Sequence, residues 1–298
     1  MIEKTNLIFK NGSVYTVDKN RTWAQAIAIQ DDKIVFVGRN EDTQHYIGTN
    51  TVVIDLDGKM VLPGFVDSHA HPSLAMDFVG NISLYLLDSV EEYKRAIEEY
   101  VADHTDAEAY RGGGWADTLF PNLGPPKEML DAIVPNKPIA IMSYDCHSFW
   151  VNSVALERAQ INKDTKDPEG GRIERDPETG QPSGTLRETA SDLLKGVIPD
   201  YSIEERKEAL LAYQEMAISA GITMSHDAML DMQSIAAFRA LAEEDRLKIR
   251  FRGAITLEPK QGIEGQIEAV LNESSTNDHP NFQVHTAKIF VDGVVEGG

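Results

Sequence analysis

The 298-residue chain has a single cysteine, Cys146, so no disulfide can form within it; this fits a reducing compartment. No run of about 18 apolar residues is present to span a bilayer, and the start, MIEKTNLIFKNGSVYT, lacks the basic-then-apolar pattern of a signal peptide. The expectation is a cytoplasmic protein with no membrane partner. Basic residues are scarce: 28 Lys and Arg against 48 Asp and Glu leave a formal net charge of −20. Such a surface repels nucleic acid and anionic lipid, so no nucleic-acid partner is expected. Also missing are a phosphate-cradling Gly-rich loop with its Lys, a GxSxG nucleophile elbow, a CxxC pair, an internal repeat and a charged tail.

What is there is a 42% hydrophobic chain whose pattern changes along its length. Residues 5–60 read as short strands rich in β-branched and aromatic residues, separated by the turn pairs Asn11-Gly12, Asp31-Asp32 and Asp57-Gly58. They predict a small β-module over 1–62. An apolar strand, Gly64–His69, opens the remainder, 63–298. SVEEYKRAIEEYVA (89–102) has helical spacing and a capping-box pattern in Ser89 and Glu92. From there the pattern is irregular to about residue 200, which predicts a long insertion, about 80–200, with short elements of its own. A helix over 203–219, ending at Gly221, then strands ITMSHDA, IRFRGAITL and VHTAKIFVDG alternating with helices over 231–245 and 263–272, predict an α/β fold with a parallel sheet or β/α barrel.

The sharpest chemical feature is Pro63-Gly64-Phe65-Val66-Asp67-Ser68-His69-Ala70-His71-Pro72. Positions i and i+2 of a strand share a face, so His69 and His71 can aim two imidazoles at one point. Neutral imidazole suits zinc, iron or nickel, and Ala70 leaves room between the rings. The C-terminal end of a strand is where barrel enzymes build their sites.

PGFVDSHAHP resembles the first barrel strand of the amidohydrolase superfamily, in which a small β-sandwich precedes a distorted (β/α)8 barrel. The segments Asp145-Cys146-His147 with Val151-Asn152-Ser153, Gly170-Gly171-Arg172-Ile173 and Gly184-Thr185-Leu186-Arg187-Glu188 resemble the large-insertion branch that includes N-substituted formamide deformylases. The resemblance implies hydrolysis of a non-peptide, amide-like C–N bond by a metal-activated water. It implies one or two divalent ions, zinc by preference, and a small-molecule amide-like substrate. His69 and His71 would be ligands.

Lys288 is the third. Counting strands from His69 and leaving out the insertion, its segment is strand four, where the family's lysine often becomes a carbamate bridging two ions. Carboxylation needs a neutral amine, which desolvation favours; the plainer alternative is a lysine snorkelling from an ordinary strand. The resemblance also puts His147, Asp145 and Asn152 at the pocket, with Trp115 and Glu188 as further substrate contacts. A loop-capping histidine and a packed loop tryptophan are the alternatives for His147 and Trp115. His226 and Asp227 end strand two and could contact substrate, while His45, His104, His279 and His285 have no supporting context.

A β/α barrel takes about 250 residues, and the module and insertion leave room for only about four barrel strands before Gly298. Two further histidine ligands and the general-base aspartate expected of the family would lie beyond residue 298. The expectation is therefore an N-terminal half, inactive alone, that pairs with its C-terminal half or dimerises to cover open sheet edges. A non-catalytic metal- or ligand-binding half-barrel, a subunit of a two-chain enzyme, and a carboxylate-pair glycosidase are the alternatives.

Overall fold

The computed structural model describes residues 5–120, 122–257, 262–276 and 279–290. The chain divides into two units, Met1–Phe65 and Val66–Gly298.

In the first unit Leu7–Lys10 pairs antiparallel with Ala26–Gln30 and parallel with Val52–Asp55, and Lys33–Gly38 adds antiparallel to Ala26–Gln30. A separate three-stranded sheet joins Trp23–Ala24, Ser13–Tyr15 and Met60–Val61. The turns form where the sequence marks them. Asn11, Asp31 and Asp57 all take positive φ, a conformation that Asn and Asp tolerate because their short polar side chains bond locally. Ile8, Val14, Ala26 and Ala28 are buried, whereas Ile34, Val52 and Met60 are exposed.

The second unit holds two sheets. One has four strands, Phe65–Ala70, Ile222–Leu230, Arg250–Leu257 and Phe282–Ile289, side by side in chain order. The second, third and fourth are parallel. Parallel neighbours need a crossover, supplied here by the helices Met232–Glu243 and Glu264–Thr276. The helix Ile203–Ser219 leads into the second strand and starts at a capping box in which Ser202 and Glu205 bond each other's backbone N–H. Phe238 on its helix meets Phe251 and Phe282 on the third and fourth strands, both at 4.9 Å between ring centres, and all three are fully buried. The register slips at Asp227/Leu230 and again at Gly253/Ala254, where His285 is the extra residue on the fourth strand. Val291–Gly293, the rest of that predicted strand, lie outside the described residues.

The region expected to be irregular contains a sheet of its own. Six strands run in the order Gly171–Arg175, Pro182–Glu188, Ser148–Val151, Ile139–Ser143, Tyr110–Trp115 and Ile82–Ser83. The helix Val90–Asp103 packs on it, with Ser89 Oγ accepting from Glu92 N–H. Gly112-Gly113-Gly114, within the stretch expected to be irregular, lie in the strand Tyr110–Trp115. A Cβ on Gly112 would run into Ile82 and one on Gly114 into Tyr85, and Gly114 has φ +101°.

Candidate metal centre and adjoining pocket

Strand one delivers His69 near its end, and the chain turns at His71 (φ −132°, ψ 62°) into a short 3-10 helix, Pro72–Asp77. The two rings lie edge to face with centres 5.4 Å apart. An ion bound at about 2.1 Å from a ring nitrogen sits about 3 Å from that ring's centre, so rings that share an ion have centres within about 6 Å. The pair meets that condition. His69 is exposed and His71 half-buried.

His71 carries the clearest signal. Its Nδ1 is buried and meets no hydrogen-bond partner. A buried ring nitrogen left unmatched costs about 1–3 kcal/mol, a cost removed when a group from outside the chain meets it. Burial holds its pKa below the ordinary histidine value, against the pull of Asp227 and with added help from His69 and Lys288. The neutral form, the one that can ligate, is therefore favoured. These features fit a bound cation. Lys288 is close enough to act on His71 electrostatically, and its Nζ rests 4.7 Å from the centre of the Phe290 ring. Among the described residues, no three His, Cys, Asp or Glu side chains converge as a metal-holding group.

Two further histidines lie within electrostatic reach. His226, expected to end strand two, sits in the middle of it (Ile222–Leu230); its pKa is lowered by burial, while Asp227 raises it and His285 and His69 lower it. Nothing in the sequence singled out His285. It reaches this group because it occupies a bulge, and a bulge re-aims a side chain. Asp227 is fully buried; its carboxylate accepts N–H bonds from Ser73 (2.7 Å) and Met229 (3.1 Å). Burial pushes its pKa up, and those bonds pull it down.

An apolar cavity of about 500 Å³ opens beside His71, walled by Phe78, Met142, Cys146, Tyr213 and Met216, with Asp77 as its acid. Tyr201 donates to Asp77 Oδ1 at 2.8 Å, yet burial still raises the Asp77 pKa.

The insertion residues divide into two sets. His147 Nδ1 lies 3.0 Å from Glu188 Oε2, and both side chains are about one-third exposed, at 31% and 34%. Asp145 braces that loop by accepting from Ser143 Oγ and from His147 N–H. Glu188 holds φ +52°, ψ −130°, a region that costs a non-glycine residue about 1–3 kcal/mol and tends to occur at functional sites. Trp115 and Asn152 take structural roles in place of the expected substrate contact. Trp115 is fully buried, with Nε1 donating to Ile141 O. Asn152, also fully buried, accepts from Ile139 and Ala155 N–H and donates to Val134 and Lys137 O. Neither has an atom left for a ligand.

Two imidazoles closing the first strand of a sheet with parallel, helix-linked neighbours define an α/β protein with a cation-compatible strand end. Comparison with known proteins gives the family: residues 52–298 match the amidohydrolase family, and the chain belongs to it. It is 31% identical to the N-substituted formamide deformylase of Arthrobacter pascens over 80% of this chain and 45% of that protein. It is 30% identical to the protein LONG AFTER FAR-RED 3 of Arabidopsis thaliana over 73% of this chain and 37% of that one. The fold is shared with an uncharacterized metal-dependent hydrolase from Pyrococcus horikoshii OT3, at TM-score 0.73 and 21% identity over 97% of this chain and 55% of that chain. The chain thus spans less than half the length of these two sequence relatives.

Proposed function

We propose that this chain forms the metal-holding part of a hydrolase that cleaves a non-peptide, amide-like C–N bond. The four-stranded sheet is read as the first strands of a β/α barrel and the N-terminal sheets as part of a β-sandwich. His69, His71 and Lys288 would hold one or two divalent ions, zinc by preference. When bound, the ion polarises the scissile carbonyl and acidifies a water. The observation that carries this reading is the buried, unpartnered Nδ1 of His71 beside a second imidazole. Kept neutral by burial, His71 presents a lone pair without first losing a proton. The apolar cavity beside it would receive the substituent on the amide, excluding water from that side. His147, steadied through Nδ1 by Glu188, keeps Nε2 available to bond substrate, and Asp145 holds the loop that carries it. A cytoplasmic location agrees with this chemistry.

Metal analysis of the purified chain after dialysis tests the proposal. About one or two transition-metal ions per chain are expected, falling to background in a His69→Ala, His71→Ala double variant. Wild-type protein that stays metal-free in excess zinc overturns the proposal. N-substituted formamides are the first substrates to try, in a protein extended to the full length of the relatives, with turnover abolished by a chelator and restored by zinc. Because the described residues hold no three-member His/Cys/Asp/Glu cluster, a binding unit without turnover is the second reading, and full metal loading with no hydrolysis by that extended protein selects it.

A further inference from the structure

We propose that Asp227 is a positioning residue for His71, tying the turn that carries this ring to the C-terminal half of the second strand. The inference rests on the metal-holding reading above but has an independent basis in the geometry. Asp227 and Ser73 lie 154 positions apart, yet the carboxylate accepts the Ser73 N–H at 2.7 Å through Oδ2, and Met229 N–H at 3.1 Å through Oδ1. Ser73 Oγ donates to Met229 O, adding a second tie between the same two segments.

The position of the tie matters. Strand one ends at Ala70, and His71 follows it with an irregular backbone. Pro72 comes next; it has no N–H and a fixed φ. The first backbone donor beyond His71 is therefore Ser73, with one rigid residue between ring and tie. No other side chain does this job as well. A carboxylate is acceptor-only and can take two N–H donors at once. An amide of the same shape can serve one of them but turns an N–H₂ group on the other. Asp227 is fully buried, a costly place for a carboxylate unless hydrogen bonds offset the lost hydration; the Ser73 and Met229 N–H groups supply them. The Ser73 bond also fixes the turn that carries His71, and a ligand held loosely loses affinity for its ion.

Asp227→Asn tests this in the full chain. In metal-free, ¹⁵N-labelled protein the His71 ring nitrogens should give one set of signals in the wild type, and broadened or doubled signals in the variant. Cobalt affinity should fall about 10- to 100-fold, the range for a lost partner that orients a ligand. Ile235→Val, a change at a fully buried residue, is the control for general loosening and should leave the His71 signals alone. Unchanged ring signals and unchanged affinity in Asp227→Asn overturn the proposal. Ring signals disordered in the variant alone, with no cobalt uptake by either protein, uphold the positioning role and remove the metal reading instead. If Asp227→Asn does not fold, hydrogen exchange on the wild type decides: slow exchange of the Ser73 and Met229 amides supports the tie, and fast exchange at Ser73 overturns it.

Discussion

The insertion sheet and the ends of the four-stranded sheet treat their polar groups in opposite ways. In the insertion most buried polar side chains have partners inside the chain, the Tyr85 hydroxyl excepted. Trp115 and Trp150 donate to backbone carbonyls, Asn152 makes four bonds, and buried Glu174 takes both Arg172 and Arg187. In the four-stranded sheet Asp227 is satisfied as well, but His71 Nδ1 is buried without a partner, and His69 and His285 stand exposed. A polar group spent on the fold cannot also hold a ligand. The comparison therefore says where stability resides and where binding resides, and substitutions in the two regions should separate the two properties.

The largest expected effect lies in the insertion. Trp115→Ala removes a fully buried indole and should cost about 3–5 kcal/mol, read as a lowered denaturant midpoint. Metal uptake by the protein that remains folded should not change. A metal defect equal to the stability defect would break the division between the regions.

His71→Ala is the mirror experiment. It should reduce zinc affinity by more than the ~10- to 100-fold lost with an orienting partner, while moving stability by less than about 1 kcal/mol, since the ring is half-buried and one nitrogen is already unmatched. Calorimetric titration and a melt on the same sample read both quantities.

The legibility of these two regions in the sequence differed for the same reason. His69 and His71 could be found because period-two spacing in a strand depends only on local backbone geometry. Helix Ile203–Ser219 was legible from its apolar spacing and its Gly221 stop, since its cap residues Ser202 and Glu205 are close in sequence. Of the six-stranded sheet only short elements such as the strand-like PIAIMSYD, now Ile139–Ser143, could be read; its glycine strand could not, because those glycines are there for the approach of Ile82 and Tyr85, contacts that no local pattern encodes. His285 was missed because a register slip against strand three puts it beside His226. Trp115 and Asn152 read as pocket residues from their motifs, and only their bonding partners reveal that the core uses them up.

Asp77 belongs to the strand-end class by its burial and to the insertion class by its bond to Tyr201. Its folded pKa is raised by burial. The stability it contributes is therefore complete below the ordinary carboxylate value and is lost as pH rises through the folded value. Asp77→Asn keeps an acceptor for Tyr201 without the charge. It should melt higher than wild type at pH 7, by ~2–4 °C for each 1 kcal/mol relieved, and the two should converge toward pH 4. A gap that widens on acidification would show that the carboxylate is stabilised where it sits.

The smallest effect is expected at Glu188, whose backbone carries the strain and whose side chain carries the bond to His147. Both Glu188→Ala and Glu188→Gly delete the ion-pair partner, but only glycine is at ease at φ +52°, ψ −130°. Glycine should therefore be the more stable of the two by about 1 kcal/mol, after its own entropic cost is subtracted from the relieved strain. Both variants should lose the same amount of whatever substrate affinity His147 contributes, because both free its ring equally. If alanine proves as stable as glycine, the backbone there is unstrained, and Glu188 sits in that conformation only because the fold of the insertion leads it there. If the two differ in substrate affinity, the backbone at 188 matters to the ligand apart from the His147 bond, and the rim of the insertion belongs with the strand ends as a binding region.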